Sequence, residues 1–181
     1  SASSTHAMAF LAWATGASVR IGSASIPYGM SWESDGNILY AQTDGIWRVP
    51  SGGGGKPEQV ITAEVNERLI APQLLPGGNY VLFSSNRAGA FQVEMRSLAG
   101  GERKVVVSGG RSACYVPTTG HLLYVVESDL FGVAFDVERL ATIGNPVSLV
   151  QEVRLANAAN MANYAVARDG TLLYLIGGQN R

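Results

Sequence analysis

Asp35-Gly36-Asn37-Ile38-Leu39-Tyr40 decides the fold, because the chain repeats its shape three more times. Gly78-Asn79-Tyr80-Val81-Leu82-Phe83, Gly120-His121-Leu122-Leu123-Tyr124 and Gly170-Thr171-Leu172-Leu173-Tyr174 share a turn glycine, a polar or variable residue, aliphatics and an aromatic. The glycines stand at 36, 78, 120 and 170, so the steps are 42, 42 and 50 residues. A repeat of that length made of short strands is the signature of a β-propeller blade. The expected fold class is all-β, a propeller of four-stranded antiparallel blades.

The chain around each copy follows one grammar. In the first blade, about 28–61, an inner strand at 29–32 leads to Asp35-Gly36, a tight turn that needs positive φ. Strands at 37–41, 46–49 and 58–61 follow it. The second blade spans about 70–108 and the third 112–150. The last copy, 160–177, offers only two inner strands, while 7–22 offers two short outer ones. An unpaired sheet edge invites pairing, so these halves are expected to join as a composite closing blade. That gives four blade equivalents in one domain, 7–181, behind a leader at 1–6. Closure stays open among a four-bladed ring, an eight-bladed ring of two chains exchanging ends, and a fragment of a longer propeller.

Composition narrows the partners. Of 181 residues, 46% are hydrophobic and 15% charged, against a usual quarter charged, and the 22 glycines suit many tight turns. The net charge is −1 and the basic residues are scattered, which argues against nucleic acid. No apolar run reaches the 18 residues of a membrane span. The longest, 7–14, has no positive charge before it and reads as a strand rather than a signal peptide. Cys114 is the single cysteine, so no intrachain disulfide forms, and it reads as a small buried strand residue.

Few motifs point to chemistry. Gly52-Gly53-Gly54-Gly55-Lys56 fails as a phosphate loop, because Pro50 and Pro57 occupy the positions of its first glycine and its Ser or Thr. It reads as a flexible strand-to-strand loop. Of the two histidines, His6 falls in the leader and His121 starts a strand facing solvent, so neither a Ser–His–Asp triad nor a zinc site is supplied. No metal site or cofactor is expected.

The polar loops are more informative. Those joining second and third strands carry Asp44, Asn86, Arg87, Glu127 and Asp129, and the blade-to-blade connections add Arg68 and Arg111. In a propeller both sets of loops share one face around the central channel. The ligand-binding candidates there are Arg68, Arg87, Arg111, Glu127, Asp129 and Asn86. Asp35 and Asp169 belong to turns on the opposite face and read as structural. The excess of the third step falls at 151–162, a stretch read as an insertion, a short helix or a lid. Trp32, Trp47, Tyr40, Phe83, Tyr124 and Tyr174 recur at fixed blade positions and are expected to pack between sheets.

The repeats resemble the TolB-like, WD-repeat-like propellers of bacteria. The matching elements are the Ser31–Tyr40 stretch, Ile46-Trp47-Arg48-Val49-Pro50 with its glycines, Gly120–Tyr124 and the Arg168–Tyr174 stretch. The resemblance implies a protein- or ligand-binding platform, often outside the cytoplasm, and brings no shared catalytic residues. The leading expectation is a non-catalytic module binding a protein partner or a small polar ligand, with a homodimer if two chains exchange blade strands. The alternative is a small propeller enzyme, a hydrolase or lyase, with a polar site at the channel mouth. Only that alternative involves a divalent cation, held by Glu127 and Asp129.

Overall fold

Asp35-Gly36 turns the chain as the repeat requires. Gly36 has φ 78°, and the Asn37 N–H donates to the Asp35 carboxylate at 2.9 Å. The computed structural model describes residues 6–12, 17–24, 27–156, 161–167 and 169–177, and every regular element among them is a strand. β1 (His6–Ala12) and β2 (Ala17–Ala24) pair antiparallel, so His6 belongs to a strand rather than to a leader.

Three complete four-stranded antiparallel blades follow among the described residues. The first is β3 (Met30–Trp32), β4 (Asn37–Gln42), β5 (Gly45–Pro50) and β6 (Glu58–Thr62). The second is β7 (Glu67–Leu74), β8 (Tyr80–Arg87), β9 (Ala90–Ser97) and β10 (Lys104–Ser108). The third is β11 (Arg111–Val116), β12 (His121–Val126), β13 (Asp129–Asp136) and β14 (Ala141–Val150). Each hydrogen-bonds in sequence order, as consecutive hairpins dictate.

The fourth repeat is shorter. β15 (Leu155–Ala156) pairs with β16 (Met161–Ala162), and β17 (Tyr164–Val166) with β18 (Leu172–Tyr174). The described ends of the 151–162 stretch are thus strands and not a helix; 157–160 lie outside the described residues. β1–β2 and β17–β18 are separate two-stranded sheets.

Period-two alternation builds the core between blades. On β4, Leu39 and Ala41 face the second blade while Ile38 and Tyr40 lie on the other face. On β8, Val81 and Phe83 meet Leu39 and Ile46, whereas Leu82 turns to Leu122 and Tyr124 of the third blade. On β12, Leu123 and Val125 meet Leu155, Tyr164 and Leu172 of the fourth repeat. Each blade therefore has two buried faces, and every interface uses alternate residues of the same strands. Of the repeat aromatics, Tyr40, Phe83 and Tyr124 are buried as expected, but Trp32 is 53% exposed.

The inner strands β7 and β11 are interrupted alike. Register slips between Ile70 and Gln73, and between Arg111 and Cys114, where Ala71 (φ 51°) and Ser112 (φ 51°) are left-handed. Gly29 (φ 109°) precedes β3 at the matching place. A Cβ there would come within 2.9 Å of Ala71 Cα, so the close approach of two blades requires glycine.

Candidate functional site

The strand bulges carry the inner strands further toward the blade-connection face than the sequence suggests. Glu67 and Arg68 lie in β7, Asn86 and Arg87 end β8, and Arg111 begins β11. Arg68, Asn86, Arg87 and Arg111, read as loop residues, therefore sit on paired backbone, which fixes their positions, while Glu127 stays in the β12–β13 turn at φ 54°.

Arg68 pairs across the ladder with Asn86, and Asn86 with Phe91. Directly opposed residues project on one side of a sheet, so these three form a row. The Arg68 guanidinium stacks 5.1 Å from the Tyr28 ring centroid, and Arg111 stacks 4.1 Å from that of Phe91. Tyr28, Thr43, Asn66, Glu67, Arg68, Asn86, Ala88 and Gly89 enclose a depression of about 410 Å³. Asn66 (φ 61°) and Ala88 (φ 53°) border it in left-handed backbone, a strain that gathers at ligand-contacting loops.

The charged candidates separate into two groups. Arg87 is paired with Glu67 at 3.0 Å and with Glu64 at 3.2 Å. Arg103, not a sequence candidate, also binds Glu67 at 2.6 Å and lies 3.6 Å from Glu94. Burial works to raise the Glu67 carboxyl, but Arg103, the Glu64 N–H and Arg87 outweigh it and hold it below the ordinary value. This network lies within the second blade, with Arg103 reaching the Thr62 carbonyl of the first, so Arg87 is occupied.

Arg68 and Arg111 make no ion pair among the described residues. Burial pulls the Arg111 guanidinium down from its usual value, with the Glu127 charge acting against it, and its Nε is buried without a hydrogen bond. Asp129 accepts the Glu152 N–H at 3.2 Å and Asn86 that of Gly89 at 2.9 Å, so both also shape turns. Asp44 accepts the Trp47 indole N–H at 2.9 Å.

On the opposite face, Asp35 serves structure as expected. Desolvation would raise it, but Asn37 and Arg48 hold its carboxyl below the usual range. Beside it the sequence reading missed a set of inter-blade clasps. Gln73 donates to the Tyr115 carbonyl at 3.0 Å and accepts the Tyr115 N–H at 2.8 Å. Glu33 Oε1 accepts the Leu74 N–H at 3.0 Å and the Ser31 hydroxyl. The available signal was a polar residue, Ser31 or Gln73, at the centre of an otherwise apolar inner strand. Cys114 occupies the matching position in β11, where burial pushes its thiol up from the ordinary value.

Comparison with solved structures fits this geometry. TolB from Acinetobacter baumannii superposes with a TM-score of 0.65 at 16% identity, over 91% of this chain and 41% of that one. These are propellers. The fold of this chain is a TolB-like, WD-repeat-like β-propeller. The propeller in a nidogen/laminin complex gives 0.62 at 15% identity over 96% of this chain and 70% of that one. An oligogalacturonate lyase in complex with manganese gives 0.58 at 12% over 89% and 48%. The chain thus spans about half of the TolB and lyase propellers. No family model and no curated protein matches the sequence.

Proposed function

We propose that this propeller is a non-catalytic binding module that holds an acidic group at its blade-connection face through Arg68 and Arg111. The group belongs to a protein partner or a small polar ligand. One observation carries the reading: both guanidinium groups are backed by an aromatic ring and neither has a carboxylate partner among the described residues. Arginine presents a planar fork suited to carboxylates, and ring stacking fixes its plane before binding. Arg48, Arg87 and Arg103 are already paired. Related folds serve both protein complexes and an enzyme, as the nidogen/laminin and lyase structures illustrate. An extracytoplasmic setting, which the resemblance implies, is part of this proposal.

Titration calorimetry with a glutamate-bearing peptide and its glutamine counterpart tests it. Saturable binding of the first alone, weakened in Arg68→Gln and Arg111→Gln, is expected. Equal binding of both peptides, or unchanged binding by the variants, refutes it.

We also propose that a second copy completes the fourth blade, its β1–β2 pair supplying the outer strands. Ile143, Val147 and Leu149 of β14 and Leu173 of β18 are exposed, and a largely apolar depression of about 580 Å³ lies between Leu149 and Leu172. Such a row of apolar residues beside an open strand edge is what an added strand pair would cover.

A further inference from the structure

A cavity lies on the face opposite the arginines. It holds about 620 Å³ at the hairpin-side mouth of the channel, walled by Trp32, Glu33, Gln73, Cys114, Thr118 and Val166, among others. Glu33 follows the inner strand of the first blade and is nine-tenths buried.

Its carboxylate is unusual for a buried acid. Both of its hydrogen bonds, from Ser31 Oγ and the Leu74 N–H, fall on Oε1. Oε2 takes none among the described residues, and Glu33 lines the cavity. No cation forms an ion pair with Glu33 among the described residues; Arg48 acts on it only at longer range and is committed to Asp35. A buried carboxylate without a counter-ion is costly to keep charged. Burial accordingly pushes this carboxyl up, against the pull of its Ser31 and Leu74 hydrogen bonds.

We propose that this cavity binds a ligand through an alkylammonium group, which docks on Glu33 Oε2 with its carbon chain against Trp32 and Val166. The cavity pairs a carboxylate acceptor with walls that are mainly apolar side chains, which suit an aliphatic stem. Oε1 is held by two donors, so the second oxygen is positioned before the ligand arrives. The half-exposed indole of Trp32 gives the cavity a rigid aromatic side. An ammonium brings three N–H donors, and Thr118 offers a second oxygen on the wall of the same cavity.

The experiment uses the whole chain and follows the Glu33 carboxyl carbon by NMR during titration with n-butylammonium chloride. Nα-acetyl-lysine methylamide forms a second arm and n-butanol a neutral control. Saturable shifts with the ammonium ligands, none with butanol, and about tenfold or greater weakening in Glu33→Gln are expected. A stronger response to the lysine derivative assigns the site to a peptide side chain, and to butylammonium a free amine. Trp32→Ala, at a half-exposed position, keeps the test informative if Glu33→Gln does not fold; it should weaken ammonium binding. Butanol binding as well as butylammonium, binding unchanged in both variants, or no saturable shift with either ammonium overturns the proposal.

Discussion

Replacing Glu67 by Gln probes the charge network of the second blade where it borders the first. The Glu67 side chain has no solvent exposure and that of Arg103 has 16%. Its Oε1 accepts Arg103 at 2.6 Å and Arg87 at 3.0 Å, while Oε2 accepts the Glu64 N–H at 2.7 Å. A glutamine amide keeps the shape but offers one acceptor oxygen where two are used, and turns an NH2 toward a donor. Removing one partner of a buried pair costs about 3–5 kcal/mol. Arg103 retains the Thr62 carbonyl at 2.6 Å and Glu94 at 3.6 Å, which brings the expectation to the lower end, about 3 kcal/mol. Urea unfolding of Glu67→Gln against the parent measures it. The partly exposed Arg48–Asp35 pair is the control, since Arg48→Met should cost less than about 1 kcal/mol.

The pH dependence follows with a definite sign. Glu67 is held below its ordinary value in the folded chain, so its stabilisation is complete above the unfolded glutamate value of about 4.3. It is lost as pH falls from there through the lower folded value. Glu67→Gln should flatten that acid limb. A cost below about 1 kcal/mol with an unchanged acid limb would refute the claim that this carboxylate anchors the second blade's charge network.

Gln73→Leu removes both hydrogen bonds to the Tyr115 backbone and should cost about 2 kcal/mol, read by the same unfolding assay. Phe83→Ala opens the interface of the first two blades at a fully buried site and should cost about 3–5 kcal/mol by thermal or urea unfolding. The chain should behave as a dimer by light scattering, and Leu173→Lys on the exposed face of β18 should shift it toward monomer. Acidic-peptide binding should weaken steeply with added salt, because the arginines are only partly buried.

The sequence was legible where local chemistry repeats. Turn glycines and alternating apolar residues such as Leu39, Phe83 and Leu122 placed the blades and their buried faces, because each blade must bury both faces. Arg68, Arg111 and Asn86 were named from topology alone, on the expectation that blade connections converge at the channel. What sequence did not reveal depends on distance across blades. Whether Arg87 or Arg111 is paired rests on Glu67 lying 20 residues from one and stacking partners such as Phe91 lying beside the other. Gln73 and Tyr115 meet across 42 residues, one blade apart. Trp32 matched the repeat pattern yet stays half exposed, because it lines the cavity.

Arg68 and Arg111, backed by aromatic rings and without an ion pair among the described residues, are the proposed donors to an acidic group. NMR of their guanidinium N–H resonances during titration with a glutamate peptide tests that directly. Shifts at both arginines with the glutamate peptide, absent with the glutamine peptide, are predicted. Shifts confined to other residues, or equal for both peptides, would rule out an acidic ligand at these two arginines.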